Sequence, residues 1–429
     1  MLKLSWLIII ILYSVYCFDS EKSYKSKNER GEVGTYKNKF IWTGNDQAFV
    51  PNYIMLDVLI NNINKYGQGD YKEELGFNFR TGNYPGLGLV NEKSLDEFIE
   101  EFFVGHGFNG IHVPVSGQWF HIGDNVVTIN DSVPDPKTFE KLSLIIKKVY
   151  EAGGSTYLWV WGDHSRSTTS RSLKDGLMGK QEKQLMDMIA EKLGPLNGWY
   201  MGYGFDLWEW VKDEDLKAWH DYMWAKPGWN KLLGARSSKN KLDQIYEGLD
   251  FSSYEYHKPW YDDLVKMINA RPSKPSLSGD RYRIRNNPPS RWPEKDYNEE
   301  ETRRGLWHHT MAGGVGAIWG KLDSTGIYNN KEALKCFSVF WNNINRFTKD
   351  MVPDNTLTNG YCLRDHDNLY IFYMENTDEV NFKFLGNPKN VIAVDTRKKY
   401  NEIKIGKLKS GLHTFQAPYT SDWVLAVEY

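Results

Sequence analysis

Two carboxylates three residues apart, Asp206 and Glu209, stand among aromatic rings in the stretch GWYMGYGFDLWEWV. The apolar, glycine-bearing front of that stretch has the make-up of a buried strand, and the carboxylates come where it ends. A third carboxylate, Asp280, closes KPSLSGD and is followed by Arg281 and Arg283. Acid/base cleavage near neutral pH needs two carboxyl groups in opposite states. One is protonated to serve a leaving oxygen; the other is ionised to attack carbon or activate water. Trp208 and Trp210 give Glu209 apolar neighbours that favour the neutral form, and Arg281 gives Asp280 a cation that favours the anion. The residues thus point to Glu209 or Asp206 as general acid/base and Asp280 as nucleophile or base. Two alternatives stay open: an Asp280–arginine ion pair that organises a loop, and a capping role for Asp206.

Other chemistry-bearing residues fall just past apolar runs: Asn45 and Asp46, His112, Trp161 with Asp163 and His164, Tyr254-Glu255-Tyr256-His257, and Trp319. His112, His164 and His257 are expected to hydrogen-bond ligand hydroxyls or tune a carboxylate, and Trp119, Trp161, Tyr256 and Trp319 to form a stacking platform. Glu255 becomes a further carboxylate candidate if the strand register shifts by one, because such a shift exchanges the two faces. No HExxH or His-x-His occurs, and His308-His309 would diverge on a helix, so neither metal nor cofactor is expected. GxSxG is absent and neither Cys336 nor Cys362 ends a strand run, which argues against acyl-enzyme or thiol chemistry.

These residues need a scaffold that brings many strand ends together. NKFIWTGN, GFNGIHVPV, STYLWVWGD, GWYMGYGFDL, KLLGARS, LDFSSYEYH, KPSLSGD and GVGAIWG read as strands, most of them separated by amphipathic stretches such as PKTFEKLSLIIKKVYEAGG. Eight such units predict a closed (β/α)8 barrel over residues 36–352, whose active face is the carboxyl end of its strands. No GxGxxG opens a helix, and the GYG at 202–204 reads as close packing. After Pro353 short runs alternate apolar with polar residues, which predicts a small antiparallel β-sandwich over 354–429.

The order of strand-end features, GFDLWEW near the fourth strand, SYEYH near the sixth, KPSLSGD near the seventh and GGVGAIWG near the eighth, resembles the retaining (β/α)8 glycoside hydrolases of clan A. The tail GLHTFQAPYTSDWVLAVEY looks like the collagen-binding-like β-domain that follows the barrel in apiosidase-like glycosidases. The resemblance spans about residues 40–429. It implies a glutamate acid/base at the end of strand four and a carboxylate nucleophile at the end of strand seven. By position these are Glu209, with Asp206 as the competing match, and Asp280. Two positions depart from the clan: Trp208 stands where an asparagine is usual, and Asp280 follows Gly279 where a glutamate is usual.

The chain opens with MLKLSWLIIIILYSVYC, a basic residue followed by an apolar run too short to span a bilayer comfortably; residues 1–17 are expected to be a secretory signal peptide and 18–35 a flexible leader. A net charge of −2 gives no electrostatic case for nucleic acid or an anionic membrane, and no later apolar run suggests an anchor. In an exported chain Cys336 and Cys362 either pair or remain separate thiols, and Asn130 is a glycosylation acceptor in Asn-Asp-Ser. The expectation is a secreted glycoside hydrolase acting on a polysaccharide or glycoconjugate. Its rival is a non-catalytic carbohydrate- or matrix-binding protein on the same barrel.

Overall fold

The computed structural model describes residues 30–55, 87, 90–120, 133–162, 164, 169–204, 206–236, 246–256, 258–284, 296–319, 330–342 and 345–428, without the side chains of 280–284, 296 and 319. Asn130, Asp163, His257 and the expected signal peptide lie outside the described residues.

Strands β1 (Val33–Tyr36), β2 (Lys39–Trp42) and β3 (Gln47–Phe49) form an antiparallel meander. NKFIWTGN, expected as the first barrel strand, is β2 of this meander; the barrel begins at β4 (Asn52–Met55). The meander lies across the foot of the barrel, where Phe40 packs 5.5 Å from Tyr200 and 5.8 Å from Phe251. Buried apolar runs read alike in a barrel strand and in a lid over its end, which is why the pattern misled. Asn45 and Asp46 accordingly lie in the β2–β3 turn, with Asp46 paired to Lys349 rather than at a barrel strand end. Residues 30–35 are not a flexible leader either. The Arg30 guanidinium lies 4.5 Å over Trp42 and donates to the Tyr150 carbonyl, and Glu32 pairs with buried Lys231. Partners 120 and more residues away order a segment whose own composition is polar.

The barrel continues with β5 (Gly110–Pro114), β6 (Ser155–Trp159), β7 (Trp199–Gly202), β8 (Leu233–Arg236), β9 (Phe251–Tyr254), β10 (Ser276–Ile284) and, after the two-residue β11 (Asp296–Tyr297), β12 (Gly316–Trp319). Neighbours pair in parallel, and β12 returns to β4, so the eight-stranded sheet closes. Around it run α1 (Glu92–Phe98), α2 (Pro136–Glu151), α3 (Lys180–Lys192), α4 (Asp213–Trp224), α5 (Tyr261–Ala270), α6 (Glu299–Met311) and α7 (Lys331–Asn342). Helix α2 shows how local sequence sets these elements. Asp135 caps it, Pro136 supplies a preset φ at the first turn, and Phe139, Leu142, Ile145, Ile146 and Val149 put one buried stripe on the sheet. Large rings fill the barrel only because glycines face them: a Cβ at Gly202 would collide with Tyr157, and one at Gly234 with Phe251.

Strands β13 (Val352–Pro353), β14 (Tyr361–Asp365), β15 (Leu369–Phe384), β16 (Lys389–Asp395), β17 (Ile403–Leu408) and β18 (Gly411–Glu428) make an antiparallel sheet in the order β13-β14-β15-β18-β16-β17. Its register breaks between Met374 and Glu379, and the long strands bend there. Phe372 and Phe382 thus come to 5.3 Å although a straight strand would hold them about 33 Å apart. The sheet folds over itself into the expected sandwich. Alternate residues face the barrel: Tyr373 stacks 5.2 Å from Trp307 of α6, and buried Asp422 takes hydrogen bonds from Arg303 and Arg304. Cys336, on α7, and Cys362, in the sandwich core, are separate buried thiols rather than a disulfide; burial pushes the Cys336 thiol up to about 12. Among the described residues no helix is long and apolar enough to cross a membrane.

Candidate active site

At the carboxyl ends of the strands the centre of the mouth is an arginine. Arg236, the last residue of β8, is 6% exposed and reaches residues past β7, past β9 and within β10 at once. Its Nη2 donates to Asp206 Oδ1 at 2.5 Å, just past β7, and lies 3.0 Å from Glu255 Oε2, just past β9. Its Nη1 donates to the Gly279 carbonyl of β10 at 3.2 Å.

Local backbone aims these groups. Asp206 has φ +51°, a left-handed conformation that aspartate tolerates better than most residues, and the chain then enters a 3-10 turn, Leu207–Glu209. Gly279 makes room for the arginine, since a Cβ there would strike Ser253 and come within 3.0 Å of Arg236 Cδ. The departure at Gly279 noted in the sequence thus has a steric cause. Strand β10 breaks register against β12 between Ser278 and Arg281, a bulge that places Gly279 and Asp280 outside regular alternation. Below the arginine lies the Trp159 ring, 5.7 Å from its guanidinium carbon, and His112 meets that ring edge-on at 4.2 Å. Trp159 Nε1 donates to the Tyr157 hydroxyl at 2.8 Å, and burial raises that hydroxyl's pKa.

The sequence-derived candidates separate into groups. Asp206 and Glu255 converge on Arg236. Asp280 follows the residue that Arg236 holds, while its side chain, like those of Arg281, Arg283 and Trp319, lies outside the described residues. Glu209 is exposed on the 3-10 turn beside Trp208, itself 59% exposed, while Trp210 turns inward. His112 is fully buried, with Nδ1 3.2 Å from the Tyr157 carbonyl, and supports the site rather than lining it. His164 contacts Thr169 Oγ1 at 2.8 Å.

Two of the four rings expected to form a stacking platform belong to the wall. Trp119 is buried and donates to the Val160 carbonyl, and buried Trp161 donates to Glu182 at 2.9 Å. Tyr203 and the Met178 amide also donate to Glu182, a carboxylate whose pKa burial nevertheless raises. Tyr254 faces the helices, and Tyr256 donates to Asp263 in the first turn of α5. Sequence reasoning missed Arg236 and Trp159. Both are terminal residues of strand runs, and the strand-end criterion applied to KLLGARS would have selected the arginine.

The barrel with a C-terminal antiparallel sandwich defines a class of architecture that solved glycoside hydrolases share. One such structure, a glycoside hydrolase, matches with TM-score 0.66 and 14% identity over 94% of this chain and 97% of that one. A glycoside hydrolase family 5 protein from Bacteroides vulgatus ATCC 8482 matches with TM-score 0.66 and 15% identity over 94% and 93%. A GH30 endoxylanase from Clostridium papyrosolvens C71 matches with TM-score 0.50 and 12% identity over 78% and 93%. At these identities the likeness establishes the fold. No family model matches the chain, and no curated protein matches it by sequence.

Proposed function

We propose that this chain is a secreted glycoside hydrolase that cleaves O-glycosidic bonds of a polysaccharide or glycoconjugate with retention of configuration. The observation that carries the reading is Arg236, which gathers Asp206, Glu255 and the Gly279 carbonyl, next to Asp280, at the barrel mouth. Asp206 is the general acid/base. It follows the fourth barrel strand, where the clan carries that group, and Arg236 fixes its position; Glu209, exposed three residues on, is the alternative. Asp280, on the seventh strand, is the nucleophile, with Glu255 as the carboxylate that takes this role if Asp280 does not.

In the first step Asp206, protonated once bound sugar loosens its contact with Arg236, gives its proton to the glycosidic oxygen as Asp280 attacks the anomeric carbon and the leaving sugar departs. In the second Asp206 takes a proton from water, which displaces the carboxylate and releases the sugar. Arg236 positions Asp206, and exposed Trp208 beside the mouth offers a ring face to the sugar. The neighbours named as family 5 and GH30 enzymes support the class. The tail's resemblance to the β-domain of apiosidase-like enzymes supports it too, and the amino-terminal run supports export.

The test is reducing-end release by the full mature chain from plant, microbial and animal polysaccharides. Turnover of at least one is expected, lost in Asp280→Asn and largely kept in Glu209→Gln. Saturable binding without turnover by the wild type would instead favour the carbohydrate-binding alternative.

A further inference from the structure

The chain's net charge of −2 conceals a strong local excess. In RKKYNEIKIGKLK, residues 397–409, six cations accompany one carboxylate, Glu402, and Glu402 pairs with Arg346, which follows α7. Lys398 is occupied as well: its ammonium donates to the Tyr419 hydroxyl at 2.8 Å and lies 3.8 Å from Asp395. Arg397, Lys399, Lys404, Lys407 and Lys409 are exposed and, among the described residues, make no ion pair. Strand β17 runs through this stretch and is the last in the sheet order, so one of its sides has no neighbouring strand. Lys404 and Lys407, three residues apart, would project from opposite faces of a regular strand. A bulge at Ile405 changes that. Lys404 pairs with Ile392 and Lys407 with Asn390, two residues apart on β16, so both lysines stand on one face. Gly406, at φ +118°, permits the bulge, and Ile403, Ile405 and Leu408 pack on the sandwich core. Arg397 and Lys399 precede the strand and Lys409 follows it, so positive charge continues along the strand, about 20 Å, and past both its ends. Lysines and a bulge on an edge strand also discourage pairing between sheets. That accounts for Lys404 and Lys407, but not for cations in the turns, where there is no ladder to protect.

We infer that this edge binds a linear acidic glycan, a polymer bearing carboxylate or sulfate groups along its length. A row of cations with no carboxylate partners suits repeated negative charge, because binding then releases the counterions of the polymer. The N–H and C=O groups on the open side of β17 lie between the lysines and match sugar hydroxyls, each both donor and acceptor. A single strand presents its charge as a line, the shape of an extended polymer rather than of a bilayer plane. The rings beside the row are engaged already: Tyr400 is half-buried and donates to Glu402, and Lys398 lies 4.0 Å over the Tyr419 ring. A nucleic acid strand would therefore gain phosphate contacts without the stacking that such binding uses. The choice of a glycan among polyanions rests on the glycosidase reading; the charge of the edge does not.

The experiment measures binding of the full mature chain, carrying Asp206→Asn so that polymer is not cut, to immobilised polygalacturonate and sulfated dextran. Neutral dextran, duplex DNA and phosphatidylserine vesicles are run alongside. Saturable binding to at least one acidic glycan is expected, absent from neutral dextran and weakened about tenfold or more between about 50 and 300 mM NaCl. The triple variant Lys404→Gln, Lys407→Gln and Lys409→Gln should weaken it about tenfold to a hundredfold at an unchanged melting temperature. The same change of charge on barrel helices, Lys93→Gln, Lys192→Gln and Lys217→Gln, should leave it within about twofold. No binding to either glycan, equal losses in the two triple variants, or tighter binding to the DNA or the vesicles overturns the proposal. Hydrolysis is read separately in the wild type. Failed binding beside hydrolysis of a neutral polysaccharide strikes this inference alone, and binding without hydrolysis of any polysaccharide strikes the glycosidase reading alone.

Discussion

The two ends of the barrel are built from the same eight strands and have opposite chemistry. At the foot, Phe40, Trp42, Tyr200 and Phe251 close the sheet with packed rings under a short antiparallel lid. At the mouth, Arg236 binds two carboxylates and a strand carbonyl, Asp206 sits in a left-handed conformation, and β10 is bulged. Ring packing is non-directional and tolerates small shifts. A charged cluster held by an arginine fork depends on direction, so it needs the special backbone that the foot does without. The contrast assigns stability to the foot and chemistry to the mouth, the division expected of barrel enzymes.

That division can be broken from either side. Phe40→Ala removes a fully buried ring from the foot and should cost about 3–5 kcal/mol in denaturant unfolding, while turnover per folded molecule stays unchanged. Gly279→Ala should do the reverse. Its new Cβ presses on Arg236 and Ser253, and the displaced arginine should lower kcat about tenfold to a hundredfold with a smaller loss of stability. Trp208→Ala removes an exposed ring beside the mouth and should raise KM about two- to tenfold without moving the melting temperature.

The smallest effect concerns the contact between barrel and sandwich. Burial works against the charge on Asp422, yet Arg304 and Arg303 hold its pKa below the usual carboxylate range. Its contribution to stability is therefore present above the unfolded value of about 3.9 and is lost as pH falls through the lower folded value. Thermal melting should show this acid-side loss, and Asp422→Asn should flatten it.

Much of this architecture was legible because each strand is a short apolar run and the helices carry their stripes at helical spacing. The first strand was misread since β2, a lid, is as buried as any barrel strand. At the site, the strand-end rule selected Asp206 and Glu255, which meet at Arg236, and it expected apolar neighbours around Glu209, although sequence neighbours are not spatial neighbours on a tight turn. Trp208 and Glu209 point outward there while Trp210 turns in. Trp119 and Trp161 were read as ligand platforms for want of their partners, the Val160 carbonyl and Glu182; the Glu182 carboxylate lies 21 residues beyond Trp161 on a separate helix. Arg236 was passed over because an arginine at a strand end carries no motif; its meaning lies in three contacts made across other strands.

The central claim, that Asp206 is the acid/base of a glycosidase site, is tested most directly by the rates of Asp206→Ala on two glycosides of the same sugar. One has a leaving group that departs without a proton and the other a sugar alcohol that requires one. The account predicts a near-wild-type burst of the first leaving group followed by slow turnover, because the second step needs Asp206 as base, and a loss of about 10²–10⁴ in release from the second. No burst from the first, or no loss on the second, would contradict it.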